Sequence, residues 1–246
     1  MWATVAHAGS RMHRTRVQTD RAPTYPGEAP AHDRLRFRTC SWQARFRQQS
    51  PFRSLEGVKD LKSDALAETL VTDRLLLRPL EHADAEALLN IFSDHEVMRF
   101  WNTPPWTSLS DSIRFIESSL AGMRRRESMT LGIVLKETTE LIGKCMLFSI
   151  DSESRRAELG FGIARRHWGR GYTSEAARAL LEHAFKTQRL RRIEAEIDPQ
   201  NSSSRKTLER LGFQKEGHLR QRWEINGVVS DSALYGLLAS DLGDKH

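Results

Sequence analysis

From about residue 69 onward the apolar positions change period repeatedly, and each change marks an element. Leu75-Leu76-Leu77, bracketed by Arg74 and Arg78 and closed by Pro79, predicts a strand. Ala85, Leu88, Leu89 and Phe92 then recur at helical spacing and predict a helix over 81–92. The stretch 101–106, with two tryptophans and two prolines, predicts a loop, and Ile113, Phe115, Ile116, Leu120 and Met123 predict a second helix over 109–126. Two apolar runs, 129–135 and 141–150, joined by five polar residues, have the spacing of a hairpin. A third strand is expected over 156–164 and a helix over 172–187. Ile193, Ala195 and Ile197 alternate within a strand over 192–197, and a short helix over 202–211 stops at Gly212. Strands over 213–223 and 228–238 flank the turn pair Asn226-Gly227. The order is strand, two helices, three strands, helix, strand, helix, two strands. That order predicts an α/β (α+β) fold with a mixed central sheet of about seven strands and helices on both faces.

Residues 1–58 lack this periodicity. They hold ten Arg, no Lys and four acids, a net charge of +6, whereas the other 188 residues hold 28 basic and 28 acidic residues. The whole formal charge of +6 therefore belongs to the N-terminal segment. With little apolar surface to offset the entropy of ordering, residues 1–68 are expected to form an Arg-rich disordered extension. An organellar transit peptide, translated sequence upstream of a later start, and a functional basic arm are the other readings. The folded unit is expected over 69–240, with 241–246 as a tail. A neutral body argues against nucleic acid as a partner except through the arm. Cys40 and Cys145 have neither metal spacing nor a disulfide framework, and no run approaches the ~20 apolar residues of a membrane span. A cytoplasmic protein without a metal and without a membrane partner is the expectation; a homodimer is left open.

The first chemical signal is the loop Trp168-Gly169-Arg170-Gly171 ahead of a helix. Two glycines let the backbone turn tightly and approach a ligand, and the helix start offers unpaired N–H groups to a pyrophosphate. Alone, the same pattern is equally a tight turn. No Gly-Lys-Ser/Thr follows and no third glycine completes a dinucleotide fingerprint.

A second signal, Asn201-Ser202-Ser203-Ser204 through Leu211-Gly212-Phe213, makes the pattern specific. Together with Thr72-Asp73-Arg74-Leu75-Leu76-Leu77-Arg78-Pro79, Glu158-Leu159-Gly160-Phe161, Trp168 to Ala176, Leu208-Glu209 and Asp231, the chain resembles the GNAT acetyltransferase superfamily, in particular its RimJ/RimL-type branch. The resemblance covers about residues 69–240. Arg166 to Gly171 fits the superfamily loop pattern directly, but counting from Asn201 and from the strand sets it at Trp168-x-x-Gly171-x-Thr173. Trp168 then stands where Gln or Arg is usual, and Arg166 is not a phosphate ligand by motif.

The resemblance implies acetyl-CoA as co-substrate and an amine acceptor, either a protein N-terminus or a small molecule. It implies that backbone groups around Phe161, Gly162 and Ile163 pair with the pantetheine arm. Amides of Gly169, Arg170, Gly171, Tyr172, Thr173 and Ser174, following Trp168, would hold the pyrophosphate. Strand alternation puts Leu159, Phe161 and Ile163 on one face and Glu158, Gly160 and Gly162 on the other. Glu158 is either an ion-paired strand carboxylate or the general base that an ammonium near pKa ~10 requires before it can attack a thioester. A strand N–H near Ile163 would stabilise the oxyanion. The tyrosine that often protonates the leaving thiolate is replaced by Leu208. Ser204 is the nearest catalytic candidate by position, with a hydrogen bond to the cofactor arm or a helix N-terminal contact as its other readings. Asn201 is expected either to bond the pantetheine region or to cap a helix. His167 and His183 read as surface or packing residues, and Trp101, Trp106 and Trp223 as cleft or core. A non-catalytic acetyl-CoA sensor is the alternative to an enzyme.

Overall fold

The computed structural model describes residues 69–242; the expected N-terminal extension and residues 243–246 lie outside the described residues. Eight strands form one sheet in the order β1-β2-β3-β4-β5-β6-β8-β7. They are β1 (Leu70–Val71), β2 (Leu75–Pro79), β3 (Met129–Leu135), β4 (Leu141–Asp151), β5 (Arg156–Ile163), β6 (Arg192–Ile197), β7 (Gln214–Ile225) and β8 (Val228–Leu238). All neighbours are antiparallel except β5 and β6. That parallel pair needs a crossover, and helix α4 (Tyr172–Lys186) supplies it.

Period-two alternation fills two cores, one on each face. Leu75 and Leu77 of β2, Leu131 and Ile133 of β3, and Ala157, Leu159 and Ile163 of β5 pack with Ala176, Ala177, Leu180 and Leu181 of α4 and Leu208 and Leu211 of α5 (Ser202–Leu211). Leu88, Ile91 and Phe92 of α1 (Ala85–Phe92) and Ile116 of α3 (Leu109–Arg124) form the second core with Val134 and Leu141. Helices on both faces of a mixed sheet agree with the pattern read from the sequence.

Several boundaries differ, each for a local reason. The eighth strand is β1, a two-residue ladder with β2 that is too short to show a period. The helix expected from residue 81 opens with a 3-10 turn (His82–Asp84). Helix α2 (His95–Met98), one turn capped by Asp94 accepting from the Glu96 N–H, is too short to show a period in the sequence. Helix α3 starts at a capping box between Ser108 and Asp111 and stops two residues early, because Arg126 takes a φ of 58°. Gly212 ends α5 with a φ of 99°, and Asn226-Gly227 turns the last hairpin with φ of 51° and 78°.

Candidate functional site

The site starts from a fork in the sheet. β5 pairs with β6 only over Arg156–Glu158, whereas its pairing with β4 continues to Ile163. From Leu159 to Ile163 the β6-facing edge of β5 thus carries no strand, among the described residues. The Ala164 N–H donates to the Ile142 carbonyl on β4, so by alternation the N–H and C=O groups of Leu159, Phe161 and Ile163 face the fork. The parallel ladder at Glu158 and Glu194 uses the Leu159 N–H, and the Trp168 indole N–H donates to the Ile163 carbonyl at 3.0 Å. Trp168 itself is 47% exposed, folded over the end of the strand.

Two glycines close the other side of β5. A side chain on Gly162 would lie 2.7 Å from Trp101 and 2.9 Å from Phe92. One on Gly143 of β4 would collide with the Gly162 carbonyl and lie 2.8 Å from the Ile163 Cα. The absence of both side chains fixes the height of β5 at the fork.

Beyond the fork, Gly169 and Gly171 take φ of 74° and 80°, the left-handed region that favours glycine. Residues 168–171 are exposed, and Tyr172, Thr173 and Ser174 are half-buried. Helix α4 begins at Gly171 without a capping side chain, unlike α3 and α5. Its first-turn N–H groups, together with the positive helix end, are the arrangement that suits an anion. The loop is held from the opposite edge of the sheet. Glu175 accepts from Thr72 Oγ1 at 2.6 Å and the Arg74 N–H at 2.9 Å, and Arg74 donates to the Arg170 carbonyl at 3.0 Å.

Arg166 does not turn toward the loop; it pairs with Glu140, as does His167. Both His167 and His183 are buried. Among the described residues no group of three or more His, Cys, Asp or Glu side chains is placed to hold a metal ion.

Glu158 stands where the two strands part, opposite Glu194 in register and half-buried. Burial pushes its carboxyl above the usual range, and the neighbouring Glu194 and Glu196 add to that, against a bond from Ser149 and the charge of Arg156. Ser149 reaches Glu158 because β4 bulges between Phe148 and Asp151, where Ser149 has a φ of 51°. The two other carboxylates are occupied. Glu194 pairs with Arg156 at 2.9 Å and Arg192 at 2.8 Å, and Glu196 accepts from the Trp223 indole at 2.8 Å and from Arg222. Glu158 has no such cation partner among the described residues.

The other arm carries Asn201 and Ser204. The Asn201 side-chain oxygen accepts the Ser204 N–H at 3.0 Å, so the capping reading holds for that oxygen. Ser204 is half-buried at the start of α5, and Leu208 is fully enclosed in the core. Asp231 lies further out on β8, accepting from His218 and from the Gln221 N–H.

One group went unread in the sequence. Lys144 of β4 is 2% exposed, its Nζ 3.5 Å from the Phe115 ring centre, 4.5 Å from Phe92, 5.0 Å from Trp101 and 5.5 Å from Trp106. Burial pushes its pKa down to about 7, while the rings attract the ammonium. The signal was present as a lone lysine inside an apolar run. Trp101 and Trp106 are therefore walls of this box.

A forked parallel pair, an uncapped helix behind a left-handed glycine loop, and a carboxylate at the fork define an acyltransferase of the GNAT type, and the chain belongs to that family. The Acetyltransferase (GNAT) domain matches residues 74–214. The chain is 43% identical over 175 residues to the uncharacterized N-acetyltransferase p20 of Bacillus licheniformis, covering 70% of this chain and 96% of that one. It is 28% identical over 181 residues to the [ribosomal protein uS5]-alanine N-acetyltransferase of Escherichia coli, covering 70% and 91%. A crystal structure of spermidine N-acetyltransferase from Vibrio cholerae, in complex with CoA and spermine, superposes with a TM-score of 0.62 at 26% identity, over 70% of this chain and 99% of that one. The protein is an N-acetyltransferase.

Proposed function

We propose that the chain transfers the acetyl group of acetyl-CoA to a primary amine by direct attack while both substrates are bound. The observation that carries this reading is the stretch of β5 from Leu159 to Ile163 that has no strand beside it on the β6 side, with Glu158 at one end and the glycine loop at the other. The pantetheine arm fits that edge as an added strand, and the amides of Gly169 to Ser174 suit the pyrophosphate. The V. cholerae relative, solved with CoA, supports acetyl-CoA as the donor.

Glu158 is the base in this reading. It takes a proton from the incoming ammonium, directly or through water, and its raised pKa makes it a better acceptor than an exposed glutamate. Glu194 and Glu196 spend their charge on Arg156, Arg192 and Arg222. One carboxylate without an ion-paired cation among the described residues suits one ammonium. That favours a protein N-terminal α-amine as acceptor, with a small-molecule amine second, and the E. coli and V. cholerae relatives represent the two classes by name. Leu208 offers no proton to the departing thiolate, so Ser204 or solvent must do so. The catalytic unit is residues 69–240, and the reading includes a cytoplasmic setting.

Initial rates measured while both substrates vary test the direct attack. Intersecting double-reciprocal lines are expected. Parallel lines, with an acetylated enzyme isolated in the absence of amine, would replace this mechanism by a two-step transfer.

A further inference from the structure

We propose that Arg74 is a positioning residue for the donor, setting the Gly171 N–H toward the pyrophosphate by pinning the peptide behind it. The proposal rests on the reading of the loop as the pyrophosphate site.

Arg74 lies in the bend just before β2, on the far side of β3 and β4 from the fork. Its guanidinium nonetheless joins three parts of the loop and helix start. Nε donates to Glu175 Oε2 at 2.7 Å, Nη2 pairs with the same oxygen at 2.6 Å, and Nη1 donates to the Arg170 carbonyl at 3.0 Å. The guanidinium also stacks on the Tyr172 ring at 4.5 Å.

The carbonyl contact matters most. In a trans peptide the C=O and the following N–H point in opposite directions. Holding the Arg170 carbonyl against Arg74 therefore turns the Gly171 N–H the other way, away from Arg74 and into the concavity of the loop. The left-handed φ of Gly169 and Gly171 is the backbone pattern in which successive N–H groups converge on an anion.

Glu175 gives the second half of the reason. A carboxylate in the first turn of α4 would compete for the helix end that an anionic ligand needs. Burial works to raise its pKa, but the bonds from Thr72 and Arg74 prevail and hold it below the usual range. Arg74 thus cancels a charge beside the loop and orients an amide within it. A stabilising ion pair alone would not need the Arg170 contact, and with 48% of the Arg74 side chain exposed the pair adds little to stability.

The test compares two donors carrying the same thioester, acetyl-CoA and S-acetylpantetheine, which lacks the pyrophosphate. Arg74→Ala should raise the KM for acetyl-CoA roughly 10- to 100-fold, the scale of a lost charge-assisted contact, with kcat little changed. The kcat/KM for S-acetylpantetheine should stay at the wild-type value. Arg74→Lys, which keeps a cation but cannot reach Glu175 and the Arg170 carbonyl together, should fall between. Should the Ala variant fail to fold, the Lys variant carries the same comparison. Equal losses on both donors, or none on acetyl-CoA, would overturn the proposal. A wild type indifferent to the pyrophosphate would remove the reading beneath it, and that outcome is visible without any variant.

Discussion

The surroundings of Glu158 come from its two chain neighbours and from two residues of other strands. Ala157 and Leu159 anchor the strand in the core, Glu194 faces Glu158 across the fork, and a bulge in β4 turns Ser149 toward it. Its carboxyl is held above the ordinary range by burial first. In the proposed mechanism it works ionised as the base, so the acid limb of kcat/KM should fall at a pH above the ordinary glutamate value of about 4.3. Glu158→Gln should lower kcat roughly 10²- to 10⁴-fold and erase that limb. The same variant probes stability with a definite sign. A carboxyl whose folded pKa is raised destabilises the fold once it is ionised, so Glu158→Gln should melt higher than wild type near neutral pH. The gain should vanish below the unfolded pKa, where both side chains are neutral.

Lys144 makes the opposite statement at the residue scale. Its folded pKa is depressed to about 7, so between that value and 10.5 the unfolded chain binds the extra proton. Stability should therefore rise with pH through this window. Lys144→Met, which fills the aromatic box without a charge, should flatten the rise in melting temperature between the two values. A wild-type curve no steeper than that of the variant would mean the ring contacts leave the ammonium fully stabilised.

At the element scale the fork depends on β4 and β5 lying unusually close. Gly143→Ala forces its methyl against the Gly162 carbonyl, where only backbone can move. The variant should lose about 1–3 kcal/mol, the usual cost of overpacking, and its KM for acetyl-CoA should rise because the displaced atoms belong to Ile163. Urea unfolding and initial rates on the same preparation check both. Asn201→Ala should cost about 1 kcal/mol as a lost helix cap. Any larger effect on acetyl-CoA binding would belong to its free amide group rather than to the cap.

Strong local periods made much of this level legible in the sequence. β3, β6, α5 and β8 fall where the apolar spacing sets them, and Gly212 and Asn226-Gly227 act as the punctuation their φ angles require. What stayed hidden is non-local or very short. β1 exists only as the partner of β2, and α2 is a single turn. The Ser149 bulge follows from how β4 meets β5. The clamp on the loop joins Arg74 to Glu175, 101 residues apart. Both residues belong to the motif, but nothing in their spacing pairs them.

Along the whole chain, the net charge falls in the first 58 residues, ahead of the GNAT match over 74–214. The 188 residues after position 58 balance 28 bases against 28 acids, while the site concentrates its carboxylates on one face of β5 and β6. If residues 69–240 are the catalytic unit, a chain lacking residues 1–58 should keep its kcat and its KM for acetyl-CoA. A lost activity on deletion would redraw that boundary. The GNAT family and the N-acetyltransferase class fix the kind of reaction.

The most direct measurement is thiol release from acetyl-CoA by the full chain across a panel of amines, with peptides bearing free N-termini alongside polyamines, and mass analysis of each acceptor. The expected result is amine-dependent release matched by one acetyl group on the acceptor, strongest for a single α-amine and nearly abolished by Glu158→Gln. Binding of acetyl-CoA without turnover on any amine, or turnover indifferent to Glu158, would contradict the account.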